Sequence, residues 1–171
     1  GSEMCIRDSA QGVDSDDASE QGAGDQGLMF GFACKETPEL MPLPIQIAHR
    51  LTERLTILRK EGTLPWLRPD GKSQVSVKYD GTLPISIEKT VIATQHDDML
   101  DKYANEDSEL EFVKSQVVKN VIRPVLDSYG YAYEENFIVN GTGRFVYGGP
   151  EADTGLTGRK IIVDTYGGYA P

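Results

Sequence analysis

The chain has 171 residues and a mass of 18.8 kDa, enough for one domain and part of a second. Its 27 acidic and 17 basic residues give a formal net charge of −10. This charge excludes a broad basic surface, so we expect no nucleic-acid partner and no membrane partner. No apolar run has the length of a membrane span, and Cys5 and Cys34 form neither a disulfide framework nor a zinc pattern. These features predict a cytoplasmic protein.

Residues 1–20 are predicted to be a disordered or non-native leader together with the tail of a preceding domain. The segment is polar and acidic and has little apolar surface to bury. Gly1-Ser2 resembles a cloning remnant and is left out of the fold argument. Order is therefore expected to begin near residue 21.

The first predicted element is an amphipathic helix over residues 44–60. Apolar residues recur there at three- and four-residue spacing, Pro44 stands where a helix can start, and Gly62 follows as a stop signal. His49 lies on this helix, and we expect it to be structural.

A β-hairpin is predicted next. Val75, Val77 and Tyr79 alternate with polar residues, and Asp80-Gly81 has the composition of a tight turn. The apolar residues between Ile85 and Ala93 then form the second strand.

A second helix is predicted to begin at a capping box made by Ser108 and Glu111. Apolar residues from Leu110 to Ile122 share one face of this helix. Pro124 is expected to kink or end it.

Two short strands, Phe137–Val139 and Lys160–Asp164, are predicted from their β-branched residues. Together the elements indicate an α+β fold in which helices pack on one face of a mostly antiparallel sheet.

Four glycine-containing loops carry most of the residues that could do chemistry. A glycine-rich stretch is first of all a turn, so each loop alone is weak support for a ligand site, and the first one lacks the P-loop spacing. Taken together, they offer cations for phosphate oxygens and an aromatic ring for a base. The alternative, which composition alone favours, is that the cations pair with the many carboxylates. The loops are Gly22–Gly27, Arg68–Lys72, Thr142–Phe145 and Gly155–Lys160.

Four strings carry a resemblance to a known family: GAGDQGLMFGF at 22–32, GTLPWLRPDGKSQV at 62–75, GRFVYGGP at 143–150 and GLTGRKIIVDTYGG at 155–168. They resemble S-adenosylmethionine synthetase (methionine adenosyltransferase), and the likeness runs from about Gln11 to Gly168. The resemblance implies a central domain over residues 21–147 and the start of a C-terminal domain, truncated, over residues 148–171.

The resemblance also implies an activity. ATP, L-methionine and water would give S-adenosyl-L-methionine, phosphate and diphosphate, by attack of the methionine sulfur on C5′ of ATP and hydrolysis of the tripolyphosphate. A neutral sulfur needs no general base, so alignment and charge stabilisation would carry catalysis. Mg²⁺ and K⁺ are expected as cofactors, with ligands in flanking sequence and no metal ligand in this chain. The expected assembly is a homodimer or a dimer of dimers.

Site residues follow from the resemblance position by position, and Phe145 would stack on adenine. Each has a structural alternative: Asp70 could cap a turn, Phe145 could lie in the core and Asp25 could close an Asx-turn. The expected catalytic residues are Lys72, Arg159 and Lys160. The expected ATP-binding residues are Asp70, Gly71, Lys72, Thr142, Gly143, Arg144, Phe145, Asp153, Arg159 and Lys160, and the expected methionine-binding residues are Asp25 and Asp153.

Residues 5–9 depart from the family's pattern, which has Gln-Ser-Pro-Asp-Ile at that point, so one methionine contact is in doubt. Further catalytic and metal-binding residues would precede Gln11 and follow Pro171. The chain is therefore expected to be a fragment that is inactive alone. The alternatives are a catalytically inactive central domain acting as an assembly or weak ATP-binding module, and a truncated reading frame with no stable fold.

Overall fold

A computed structural model describes residue 22, residues 30–154 and residues 160–170. The chain divides into two units, residues 1–31 and residues 32–171. In the first unit the description covers only Gly22, Phe30 and Gly31, of which Phe30 and Gly31 are exposed. The helices and strands of the described residues all belong to the second unit.

Helix α1 spans Leu43–Lys60, which confirms the first predicted helix. The carboxylate of Glu36 accepts a hydrogen bond of 2.8 Å from the Leu43 N–H and so satisfies a donor of the first turn. Gly62 has a φ of 75° just beyond the helix, a conformation that favours glycine. The buried apolar residues of α1 are Leu43, Ile45, Ile47, Ala48, Leu51, Leu55 and Leu58.

Strands β1 (Leu67–Asp80) and β2 (Leu83–His96) form the predicted antiparallel hairpin. Gly81 takes a φ of 60° in the turn, where a β-branched residue would be strained. Both strands are longer than the alternating pattern indicated. In β2 the burial alternates most regularly from Thr90 to His96, the half that pairs with the first part of β1.

Helix α2 spans Glu106–Val117, and its predicted capping box is wrong. The N-cap is Asn105, whose side-chain oxygen accepts a 2.9 Å hydrogen bond from the Ser108 N–H. Asn105 is an equally good cap three residues earlier, so the helix gains a first turn that contains Glu106 and Glu109. Ser108 therefore lies inside the helix.

Pro124 interrupts the second helix without ending it. A π-helical turn, Val118–Ile122, connects α2 to helix α3 (Arg123–Tyr129). Proline has no N–H to bond the carbonyl of Asn120, and the Nε–H of Arg54 in α1 donates to that oxygen instead, at 3.1 Å. The interruption thus becomes a contact between two helices.

Two short strands complete the sheet of the described residues: β3 (Ala132–Tyr133) and β4 (Phe137–Val139). Both pair with β2 in parallel, so β2 is central and β1 forms one edge. The helices cover one face, which confirms the α+β prediction with its mostly antiparallel sheet. The core between helices and sheet includes Ile47, Leu51, Ile87, Ile92, Val113, Val117 and Ile122.

The strand predicted at Lys160–Asp164 is wrong, because the structure has a short helix α4 over Ile161–Asp164. Its turn is closed by a 2.9 Å hydrogen bond from the Asp164 N–H to the Lys160 carbonyl. β-Branched residues favour a strand only where a neighbouring strand accepts them, and among the described residues none pairs with this segment. A 3₁₀ turn, Gly149–Glu151, precedes it in the chain.

Candidate functional site

The first part of the candidate site is the start of β1. Leu67 pairs with His96 and the next paired residue is Gly71, so the register shifts between them. This bulge carries Asp70, which is half-buried, and leaves Lys72 exposed. A Cβ at Gly71 would lie 3.2 Å from the Ala93 carbonyl, so the close approach of the two strands favours glycine there.

Asn140 attaches the second part, the loop after β4, to the central strand. Its side-chain oxygen accepts from the Thr94 N–H at 2.8 Å, and its side-chain amide donates to the Thr94 carbonyl at 3.1 Å. The residue is buried with a φ of 47°, a conformation that asparagine tolerates. The amide thus continues the hydrogen-bonding pattern of the sheet where β4 stops. Our sequence reasoning missed Asn140, although Asn-Gly directly after a strand is a turn signal.

Phe145 is held through its backbone by the last residue of β2. The His96 N–H donates to the Phe145 carbonyl at 2.9 Å, and the Phe145 N–H donates to Nε2 of the His96 ring at 3.3 Å. Nδ1 of the same ring lies 2.8 Å from the Asp97 carbonyl, which can only accept. These partners assign the ring proton to Nδ1. His96 is fully buried, and its two hydrogen bonds hold the backbone of Phe145 in place.

Arg144 lies among carboxylates. Its guanidinium contacts Glu109 at 2.5 Å, Asp98 at 2.6 Å and Glu106 at 3.8 Å. The hydrogen bonds to Glu109 raise the pKa of Arg144 above its ordinary value, against the effect of burial. Arg144 therefore fits the alternative in which cations of these loops pair with carboxylates.

Asp70 and Gln95 fasten the loop at its far end. The Gly149 N–H donates to the Asp70 carboxylate at 2.7 Å, and the Gln95 side-chain amide donates to the Val146 carbonyl at 2.9 Å. A Cβ at Gly148 would lie 2.7 Å from the Gln95 side chain, so only glycine fits without a shift. Sequence reasoning missed Gln95, since no local pattern marks a strand residue that reaches a distant loop.

The remaining predicted residues are spread over three places. Thr142 is exposed in the loop, while Gly143, with a φ of 109°, donates to the Asn140 carbonyl at 2.9 Å. Asp153 is exposed just after the 3₁₀ turn, where its N–H donates to the Gly149 carbonyl at 3.0 Å. Arg159 and Asp25 lie outside the described residues.

Lys160 belongs to a segment that packs on α1. It is exposed at the start of α4, and the Val163 carbonyl of that helix accepts a 3.1 Å hydrogen bond from Nε2 of His49. A Cβ at Gly167 would lie 2.8 Å from Cβ of Ile45. His49 thus makes a structural contact. Among the described residues, the backbone hydrogen bonds of Lys160 are to Val163 and Asp164 of its own segment and not to the loop after β4.

The site is an open surface. A cavity of about 60 Å³ lies between α1 and β1, lined by Asp70, Gly71 and Thr94 among others, and is too small for a nucleotide-sized ligand. A ligand at these residues would therefore lie on the exposed surface, where Lys72 is.

Among the described residues no three His, Cys, Asp or Glu side chains are placed to hold a metal ion. Helices in the described ranges are also too short or too polar to cross a membrane.

Comparison with known proteins extends over both units of the chain. A family model described as S-adenosylmethionine synthetase, central domain, matches residues 20–145, and one described as S-adenosylmethionine synthetase, C-terminal domain, matches residues 147–171. A protein of Crocosphaera subtropica named S-adenosylmethionine synthase is 53% identical over 162 residues. That match covers 94% of this chain and 39% of the relative, so the chain spans less than half of the length of the relative.

Proposed function

The chain belongs to the S-adenosylmethionine synthetase family, and from that premise we propose that it supplies part of the active site of a methionine adenosyltransferase. In the proposed reaction the sulfur of L-methionine forms a bond to C5′ of ATP. The bond from C5′ to oxygen breaks and the tripolyphosphate leaves, after which water cleaves it to phosphate and diphosphate. The product is the sulfonium S-adenosyl-L-methionine.

One observation carries the proposal: two predicted ATP-binding strings, more than seventy residues apart, meet at the end of β2. The Gly149 N–H lies 2.7 Å from the Asp70 carboxylate, and Phe145 is bracketed by His96. An aromatic side chain and the exposed Lys72 thus belong to segments that are fastened to each other. A base and a phosphate chain of one ligand need this arrangement.

The proposed roles follow from charge. Negative charge grows on the departing tripolyphosphate, and Lys72, together with Arg159 and Lys160, would stabilise it. Lys72 is exposed and makes no salt bridge within the described ranges, so it is available to phosphate. Asp25 is proposed to lie near the positively charged amino group of methionine. Asp153 is proposed to lie where the nucleotide and methionine meet. Phe145 would stack on adenine, with Thr142 and Gly143 shaping the same loop.

Metal ions and assembly are part of the proposal about the whole enzyme. We propose Mg²⁺ and K⁺ as cofactors, a homodimer or dimer of dimers, and a cytoplasmic location. Within the described residues no cluster of acids or histidines fits such an ion, so no step is assigned to a metal here. The domain limits 21–147 and 148–171 are likewise proposed, with the isolated chain inactive.

The first test measures ATP binding to the purified chain by isothermal titration calorimetry. Lys72→Ala should weaken binding of both ATP and tripolyphosphate, by about tenfold, because a charge-assisted contact to phosphate is lost. Lys78→Ala is the matched control, since Lys78 is also an exposed lysine of β1. The control should bind like the wild type.

If the wild type and Lys72→Ala bind ATP and tripolyphosphate with equal affinity, Lys72 does not have the proposed role in binding phosphate. Formation of S-adenosylmethionine from labelled methionine is measured in parallel. Product made by this chain alone would contradict the proposed inactivity while supporting the activity of the family. If the chain binds ATP but forms no S-adenosylmethionine, then weak ATP binding is the activity of the isolated chain.

A further inference from the structure

Glu109 is a buried carboxylate with no assigned role in the reaction. It lies in the first turn of α2 and is 0% exposed, which is unusual for a glutamate. Its two oxygens accept from the Met99 N–H at 2.6 Å and from Nε of Arg144 at 2.5 Å. Burial alone would raise the pKa of Glu109, but Arg144 and the Met99 N–H hold it below its ordinary value. The carboxylate is therefore buried in its charged form.

This carboxylate joins three segments of the chain. Glu109 belongs to α2, Met99 to the segment that leaves β2, and Arg144 to the loop that follows β4. Asp98, next to Met99, also contacts Arg144. The loop is thus held against the helix layer at residue 144, immediately before Phe145.

The charge balance argues against Arg144 as a phosphate ligand. One guanidinium faces the carboxylates of Asp98, Glu106 and Glu109, so the cluster is negative as a whole. A polyphosphate would be repelled by such a cluster. The side chain of Arg144 serves better as an anchor for its own backbone.

We propose that Glu109 is a positioning residue for the aromatic ring of Phe145, acting through Arg144. Arg144 and the hydrogen bond from the Phe145 N–H to His96 fix the backbone before the Phe145 Cα, while the hydrogen bond from the Gln95 side chain to the Val146 carbonyl fixes it after that atom. With all three contacts in place, the ring of Phe145 is held in one position before the adenine base binds, which lowers the entropic cost of stacking. This inference rests on the proposed function, in which Phe145 stacks on adenine.

The test compares ATP with tripolyphosphate, because only ATP carries a base. In Glu109→Gln the affinity for ATP should fall by about tenfold, as expected when a base–aromatic contact is weakened. The affinity for tripolyphosphate should stay within about twofold of the wild type. A merely structural role would change both affinities together. Glu111→Gln, an exposed residue of the same helix, is the matched control and should change neither.

Two further variants complete the experiment. Phe145→Leu should show the same selective loss, and the double variant Glu109→Gln/Phe145→Leu should lose little more than Phe145→Leu alone. If Glu109→Gln does not fold, Arg144→Lys replaces it, because lysine keeps the charge and loses the two-pronged contact.

The outcomes distinguish the role of Glu109 from the proposed nucleotide site at Phe145. A selective loss of ATP affinity that is not additive with Phe145→Leu supports the role of Glu109. Weak ATP binding in Phe145→Leu with normal binding in Glu109→Gln and Arg144→Lys overturns this inference only. If Phe145→Leu binds ATP as the wild type does, the proposed nucleotide site itself fails, and the role of Glu109 fails with it.

Discussion

Asn140, Gln95 and His96 share one task, which is to tie the loop after β4 to the central strand. None of the three stood out in the sequence as a site residue, because each acts on a partner about fifty residues away. Lys72 and Phe145, in contrast, were named from local strings. Residues that touch a ligand can leave a local pattern, while residues that position them need only be close in space.

Thr90 gives a prediction about stability for a single residue. Its side chain is 0% exposed, and its hydroxyl has no hydrogen-bond partner in the described part of the chain. A buried polar group without a partner costs free energy. Thr90→Val keeps the shape and removes the hydroxyl, so the free energy of unfolding should rise by about 1 kcal/mol.

Urea denaturation measures the change. Thr90→Ser is the comparison variant, since it keeps the hydroxyl and loses the methyl group, and it should lower the free energy of unfolding by about 1 kcal/mol. A clear destabilisation in Thr90→Val would mean that the hydroxyl has a partner in the folded protein.

Helix α1, most of whose buried apolar residues recur at three- and four-residue spacing, was predicted nearly to the residue. Helix α2 was predicted at its centre and missed at its start, because two capping signals stand three residues apart and the chain uses the earlier one. With either start Glu109 lies in the first turn, where a negative charge is favoured by the helix dipole. The earlier start adds Glu106, which also faces Arg144, to the helix.

The cap at the start of α2 can be tested directly. Asn105→Ala removes the side-chain acceptor of the Ser108 N–H and should lower the free energy of unfolding by about 1 kcal/mol. Glu111→Ala, which would break the capping box that we first predicted, should cost less than about 0.5 kcal/mol. Thermal melts of both variants decide between the two caps. A larger loss in Glu111→Ala would restore the later start.

The whole molecule is strongly acidic, and the pair formed by buried Glu109 and half-buried Arg144 makes stability depend on pH. Because the pKa of Glu109 is lower in the folded chain than its ordinary value of 4.5, the unfolded chain takes up this proton first as the pH falls. The stabilisation is therefore complete above about pH 4.5 and is lost as the pH falls through the folded pKa.

Urea melts between pH 7 and about pH 3 should show this in the comparison with Glu109→Gln. The wild type should be the more stable of the two at pH 7, and the difference should shrink as the medium becomes acidic. Parallel curves over the whole range would contradict the lowered pKa of Glu109.

The sequence by itself determined the family, the α+β class, the first helix and the hairpin, because these depend on periodicity and on local order of residues. It also marked the strings that we propose to contact a ligand. Tertiary structure decided how the strings are joined: Asp70 to Gly149, Phe145 to His96, and Arg144 to the buried Glu109. It also turned the β-branched segment at 161–164 into a helical turn packed on α1. Pairing partners and burial are properties of the folded chain, and a local pattern carries no information about which distant residue will supply them.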